Sequence, residues 1–161
     1  MDLFVYTFHH EGNVHRALSV LNPATVGDQG IPTESVLGEI NALLPSMTPD
    51  QFEANDAFLD ILHQTVQKEI ADIPEYREQA RVFGTGVLPI MDLRAGKITG
   101  ESTDEDMIGQ FIIRTGNILP DSYIPNSSYK LLTDNGPIQL HSILEAKLLD
   151  KINYSNYTGV S

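Results

Sequence analysis

Three of the five histidines in the sequence lie close together, at His9, His10 and His15, just after a predicted strand. A neutral imidazole is the commonest transition-metal ligand in proteins. The spacing differs from the zinc-protease helix motif, because Gly12 interrupts any helix and His10 and His15 lie five rather than four positions apart. The cluster can bind Zn²⁺ or a similar ion if a carboxylate joins it, since a catalytic zinc needs about three protein ligands. We favour the alternative, a polar loop without metal.

A second candidate metal site is the pair Asp60 and His63, which lie one turn apart on a predicted long helix. Such acid-x-x-His pairs bind metals in helical bundles when neighbouring helices supply partners. No other predicted helix carries a matching pair. The favoured alternative is that His63 is a boundary residue and that the acids on this flank are solvated.

An acidic run, Glu101-Ser102-Thr103-Asp104-Glu105-Asp106, can offer hard oxygen ligands to Mg²⁺ or Ca²⁺, together with Asp92 from the preceding strand. The run lacks the spacing and the central glycine of an EF-hand loop. Ser102 and Glu105 match a capping box, so a charged turn at a helix start is the simpler interpretation.

Several catalytic motifs are missing. Gly84-Thr85-Gly86 is followed by Pro89 and a predicted strand rather than a helix, and Gly96-Lys97 has no upstream glycine at P-loop spacing. There is no serine-hydrolase elbow. With no cysteine in the sequence there is no thiolate nucleophile, thiolate metal site or disulfide. We therefore expect no cofactor, apart from Zn²⁺ or another divalent metal if a metal site forms.

The chain is strongly acidic, with 22 acidic and 10 basic residues and a formal net charge of -12. This charge repels phosphate backbones and anionic lipids, so neither nucleic acid nor membrane is expected as a partner. No apolar stretch approaches the ~18 residues of a spanning helix. Met1-Asp2-Leu3 lacks the basic start of a signal peptide. We expect a cytoplasmic protein.

The first half of the chain is predicted to be mainly helical after one interior strand over residues 3–8. Asn13 can cap a short helix through Leu21, and Thr33 a second helix that Pro45 ends.

The most complete helix start is Met47-Thr48-Pro49-Asp50-Gln51-Phe52, which combines a capping box, a proline at the first helical position and a hydrophobic staple. We expect this helix to begin within about two residues of Pro49. Its apolar stripe continues through Leu59, Leu62, Val66, Ile70 and Ile73. A break near Pro74 then precedes a shorter helix that ends at Gly84.

The second half has the short apolar runs and frequent glycines of strands. We predict a hairpin of Gly86–Leu93 with Lys97–Glu101, a strand near Ile108–Thr115 that turns at Gly116-Asn117, and a short strand at Tyr129–Thr133. A turn at residues 134–137 and a last helix around Leu140–Leu148 follow.

These elements predict an α+β fold. Its helices lie mainly in the N-terminal half, and a small, mainly antiparallel sheet from the C-terminal half is joined by the N-terminal strand. Residues 1–152 are expected to form a single globular domain, and 153–161 a mobile polar tail.

Two functions are consistent with the sequence. The preferred one is a non-catalytic binding or regulatory protein that contacts another protein or itself as a homodimer, because no catalytic motif is complete. The stripe from Phe52 to Ile73, widened by Phe58 and Ile61, is long for one small domain to cover. The alternative is a metal-dependent hydrolase with the three clustered histidines as ligands and Asp60 or Glu11 as base. Whether the chain is an enzyme stays open.

Overall fold

The computed structural model describes residues 1–26, 30–40 and 49–158. The chain divides into two compact units, one formed by Met1–Ile61 with Leu149–Ser161 and the other by Leu62–Leu148. The single globular domain over residues 1–152 stays a prediction. In the described ranges, no helix is long and apolar enough to cross a membrane.

The first unit contains a four-stranded antiparallel sheet in the order β1-β2-β3-β4. The strands are β1 (Phe4–His10), β2 (Asn13–Ser19), β3 (Val36–Ile40) and β4 (Phe52–Ala54), and a single helical turn, α1 (Pro23–Val26), follows β2. The N-terminal strand therefore belongs to this sheet. The prediction that it joins a C-terminal sheet is wrong.

The helix predicted from Asn13 is wrong, because those residues form β2. Glu11 and Gly12 take left-handed φ angles of 50° and 80°. They close a two-residue turn in which His10 pairs with Asn13. Asn13 thus continues a hairpin and does not cap a helix.

The helix predicted from Thr33 is also wrong, since Val36–Ile40 is strand β3. A Cβ on Gly38 would lie only 2.2 Å from the carbonyl oxygen of Glu53. Gly38 therefore permits a close approach between β3 and β4, and cross-strand pairing overrides the helical spacing of the apolar residues. Residues 41–48 lie outside the described ranges.

The next helix, α2 (Asp56–Glu69), begins later than predicted. Pro49–Gln51 forms one 3₁₀ turn, and β4 follows before the helix starts. The cap is Asn55, whose Oδ1 accepts the N–H of Ala57 at 3.2 Å while its Nδ2 donates to the carbonyl of Val36 at 2.8 Å. Thr48, which was expected to cap, lies outside the described residues.

Most of the predicted apolar stripe is buried, namely Leu62, Val66, Ile70 and Ile73, and Phe58 and Ile61 are buried with it, whereas Leu59 is half-buried. The stripe is therefore not an exposed face, which removes the reason given for a homodimer. After a 3₁₀ turn at Ile70–Asp72, α3 (Pro74–Phe83) has proline at its start and ends at Gly84, as predicted.

The second unit contains a second antiparallel sheet, in the order β5-β6-β7, with β8 also paired to β6. The remaining elements are β5 (Gly86–Met91), β6 (Met107–Arg114), β7 (Asn117–Ile118), β8 (Ile124–Pro125), the two-stranded pair β9 (Leu132–Thr133) and β10 (Gly136–Pro137), and α4 (Ser142–Thr158).

The strand predicted near residues 108–115 and the turn after it are confirmed by β6 and its pairing with β7. The hairpin of residues 86–93 with 97–101 is wrong, because β5 pairs with β6 and places Leu88 opposite Phe111. The Asp92 carboxylate accepts the N–H of Arg94 at 2.9 Å and turns the chain immediately after β5.

The predicted fold class is thus contradicted. The helices are not concentrated in the N-terminal half, and most described elements are strands in three antiparallel sheets. Helix α4 includes residues 153–158 of the predicted tail, and 159–161 lie outside the described residues. In the N-terminal half, pairing between strands determined the secondary structure, because tertiary context routinely overrides local helix propensity.

Candidate binding groove and buried arginine cluster

The clustered histidines lie on the β1–β2 hairpin. His15 is opposite Phe8, with stacked rings 5.3 Å apart, and its ring centroid is 6.1 Å from that of His10. His9 pairs with Val14 and points to the opposite face, because side chains alternate along a strand. The structure thus brings together only two of the three predicted ligands.

Carboxylates lie near both of these imidazoles. Nδ1 of His15 is 3.9 Å from Oε2 of Glu39, and Nε2 of His10 is 3.8 Å from Oε1 of Glu11. Among the described residues, no group of three or more His, Asp or Glu is placed to hold a metal ion. The metal site at His9, His10 and His15 stays a prediction.

The other predicted metal-binding pair, Asp60 and His63, lies on α2 and stays a prediction. Asp60 is exposed on α2, whereas Nδ1 of His63 shares a 2.6 Å hydrogen bond with the hydroxyl of Tyr123. Burial raises the pKa of Tyr123 far above its usual range, so this hydroxyl keeps its proton. In the part of the chain that the structure describes, no hydrogen bond or ion pair joins Asp60 to the hairpin histidines.

The densest polar cluster in the second unit surrounds Arg94, which is fully buried directly after β5. All five N–H groups of its guanidinium find acceptors. Nε donates to Oδ1 of Asp106 at 3.1 Å. The two terminal nitrogens donate to four main-chain carbonyls, those of Glu105, Lys130, Leu131 and Gly136. One side chain therefore joins the loop before β6 to the loop around β9 and β10.

Two buried carboxylates balance this cation. Burial raises the pKa of Asp92, although the N–H and charge of Arg94, the Tyr129 hydroxyl and the N–H of Gln139 favour its charged form. Burial also opposes ionisation of Asp106, but there hydrogen bonds from the Thr103 N–H, Arg94 and Asn135 outweigh it and lower the pKa. The pKa of Asp92 is thus raised and that of Asp106 is lowered, although both carboxylates are buried beside Arg94.

The cluster is closed. Among the described residues, every buried side-chain nitrogen and oxygen has a hydrogen-bond partner. Asp92 and the acidic run do meet, as the sequence suggested, and the cation between Asp92 and Asp106 is the guanidinium of Arg94. The arrangement fixes loops and leaves no buried group free for chemistry.

An open apolar concavity of about 890 Å³ lies between α3 and β5, and we call it the α3–β5 groove. Its apolar lining includes Val82 and Phe83, which are 72% and 63% exposed, and Val87, which is 46% exposed. A Cβ on Gly86 would lie 2.6 Å from Cε1 of Phe83, so this ring lies against the Gly86 backbone. Large exposed apolar side chains are thus concentrated at one place.

The apolar surface continues onto the outer face of the second sheet. Ile112 lies directly opposite Val87, and both are exposed. On the far side of β6, exposed Ile124 of β8 pairs with Gln110. The exposed apolar surface of the groove therefore extends across the β5–β6 pair through Val87 and Ile112.

A second concavity, of about 860 Å³, lies on the sheet of the first unit and is lined by Tyr6, Phe8 and Glu39 among others. Its wall includes Val26 and Gly30, which flank residues outside the described ranges.

Comparisons with known proteins give no relative. No family model matches the chain, and neither curated proteins nor solved structures contain a match. Function must therefore be argued from the geometry.

Sequence reasoning missed both features, and only the groove left a trace. Tyr76 and Ala80, the buried positions of α3, are four residues apart, and exposed Val82 falls off that stripe, whereas exposed Phe83 continues it at the end of the helix. Val87 likewise lies out of phase with buried Leu88 and Ile90. Apolar residues off the buried phase of both elements were the available signal for a surface.

Proposed function

We propose that the protein acts by binding another protein through the α3–β5 groove. The supporting observation is the concentration of Val82, Phe83 and Val87, all exposed, on one concave surface. Exposing such side chains to water is unfavourable, by roughly 25 cal/mol for each Å² of apolar surface that burial would remove. Association with a partner regains this free energy.

The charge of the chain limits the class of partner. A net charge of -12 disfavours nucleic acid and anionic membranes. The groove has the carboxylates of Glu75 and Glu78 beside its apolar lining. A protein surface with an apolar centre and no excess of negative charge fits these properties. A cytoplasmic location is part of the proposal and is supported by the complete absence of cysteine.

A homodimer stays the other candidate partner. Each copy has a formal net charge of -12, so two copies repel each other. Their association must therefore tighten as salt screens this repulsion. Light scattering at micromolar concentration, at 0.05 M and 0.5 M salt, tests it. A monomer under both conditions excludes the homodimer and leaves the proposed hetero-association.

The metal-dependent hydrolase stays a prediction with no geometric observation in its favour among the described residues. Elemental analysis of protein purified without an affinity tag tests it, since the hypothesis requires near-stoichiometric metal. Melting with and without added Zn²⁺ is the companion measurement, because a metal that binds the native state raises the melting temperature.

The proposed function is tested with the double variant Val82→Ser/Phe83→Ser. The matched control is Ile98→Ser, because Ile98 is as exposed as Val82, at 72%, in the same unit but does not line the groove. We expect affinity capture from a cell extract to retain a protein on wild type and on the control, and to lose it on the double variant. Equal retention by all three would contradict the proposal.

A further inference from the structure

Building on the proposed function, we infer that the partner enters the groove as an extended segment that adds a strand to β5, with apolar side chains at alternate positions and basic residues between them.

The first support is the outer backbone edge of β5, which lies at the end of its sheet and pairs with no other strand in the part of the chain that the structure describes. The N–H of Asp92 donates to the carbonyl of Asp106 at 2.8 Å, toward β6. Leu88 and Ile90 share this direction, because N–H and C=O groups alternate along a strand. Val87, Pro89 and Met91 therefore direct their backbone groups away from β6. These are the groups that pair with an added strand in β-augmentation.

The free edge has a defined end. The N–H of Leu93, which points to the same side as that of Met91, donates to the carbonyl of Gln139 at 2.9 Å. The chain itself thus occupies the edge beyond Met91. What stays open is a segment of five residues, Val87–Met91, beside α3.

Pro89 favours a different protein over a second copy as the occupant. Proline has no N–H, so an added strand loses one hydrogen bond opposite Pro89. Two copies of β5 paired about Pro89 would lose both bonds of the central pair and bring the two rings together. Two copies, each with a formal net charge of -12, would also repel each other.

The side chains of the open segment set the chemistry of the partner. Val87, Pro89 and Met91 lie on the outer face, because Leu88 and Ile90 are buried on the other. An added strand therefore places every second side chain beside Val87 on this outer face, and the side chains between them on the side of Gly86, where the ring of Phe83 lies. Glu75 remains largely exposed even though its Oε2 is 3.3 Å from Nε2 of His141, which favours basic residues in the partner.

The test uses a short synthetic peptide of alternating valine and lysine, labelled with a fluorophore, on the full chain. The first control alternates valine and glutamate. The second is the valine-lysine peptide N-methylated on the residues whose N–H groups face β5. We expect the valine-lysine peptide to bind, the glutamate peptide not to bind detectably, and the N-methylated peptide to bind at least about tenfold more weakly, because the hydrogen bonds to the carbonyls of Val87, Pro89 and Met91 are lost.

Amide hydrogen exchange then locates the contact. On binding, exchange should slow at Val87 and Met91, whose N–H groups face the free edge, and change little at Leu88 and Ile90, which already face β6. Binding of the glutamate peptide with equal affinity, or failure of both peptides to bind, overturns the inferred partner chemistry. Binding that Val82→Ser/Phe83→Ser abolishes, without slower exchange at Val87 and Met91, overturns strand addition and leaves the proposed function standing. Binding that the double variant does not weaken argues against the groove itself.

Discussion

The α3–β5 groove runs along β5, the arginine cluster begins directly after it, and the two differ in almost every property. Around Arg94 the groups are charged and buried, and all are satisfied by partners within the chain. Along the groove the side chains are apolar and exposed, and the backbone groups of Val87 and Met91 face an open edge. The polar groups of the arginine cluster have their partners within the chain, whereas the exposed apolar surface of the groove is open to contact with another molecule.

The largest effect is expected where the closed cluster is broken. Arg94→Met leaves the carboxylates of Asp92 and Asp106 buried without a cation, which should destabilise the fold by about 3–5 kcal/mol. The denaturant midpoint measures this loss. The control is Arg81→Met, which breaks an exposed pair with Glu78 and should shift the midpoint far less. Similar shifts for both variants would mean that Arg94 is not the centre of the cluster.

A smaller loss is expected from the backbone contact between β3 and β4. Gly38→Ala places a Cβ 2.2 Å from the carbonyl oxygen of Glu53, and a backbone atom cannot rotate away. We expect a loss of about 1–3 kcal/mol from overpacking, measured by urea unfolding. An unchanged midpoint would show that the two strands separate without cost.

Acid should weaken the cluster through Asp106. Its pKa in the fold is below the ordinary value of 3.8, so its stabilising contribution is present above that pH and is lost as the pH falls through the folded pKa. The contribution of Asp92 to stability depends on pH in the opposite direction. Because its pKa is raised in the fold, this contribution declines as the pH rises from 3.8 toward the folded pKa.

Asp106→Asn should therefore flatten the loss of stability below pH 3.8. Unfolding free energies measured from pH 2.5 to 7 for wild type and variant test this sign. A variant with an acid dependence as steep as that of wild type would assign the effect to other carboxylates.

The smallest effect on stability is expected in the groove. Val82→Ser/Phe83→Ser removes exposed side chains, so the free energy of unfolding should stay within about 0.5 kcal/mol of wild type for each site. Thermal melting measures it. A loss of several kcal/mol would show that these residues stabilise the fold, and the contrast with the arginine cluster would disappear.

The sequence predicted those elements whose ends are determined by residues close by in the chain. Helix α3 has proline at its start and glycine after its end, and the turn before β7 contains Gly116. Prediction failed where a distant partner decides the structure. Val36–Ile40 has helical spacing but forms a strand because Gly38 can approach β4 closely.

The candidate site shows the same division. Asp92 was associated with the acidic run, but its actual partner, Arg94, could not be identified because a single arginine after a strand normally extends into solvent. The histidines were predicted to follow a strand, but His9 and His10 lie within β1 and His15 within β2, so strand alternation separates His9 from His10. The exposed apolar positions Val82 and Val87 were visible as residues out of phase with the buried ones, but the sequence does not show that α3 and β5 lie side by side to form a groove.

The most direct test of the central claim is site-specific photocrosslinking in cells. The photoreactive residue p-benzoylphenylalanine is introduced in place of Phe83 and, as a control, in place of Ile98, which is at least as exposed. We predict a discrete crosslinked species of higher mass from position 83 that Val82→Ser prevents, and none from position 98. No crosslink from position 83, or the same species from both positions, would contradict a binding function at the α3–β5 groove.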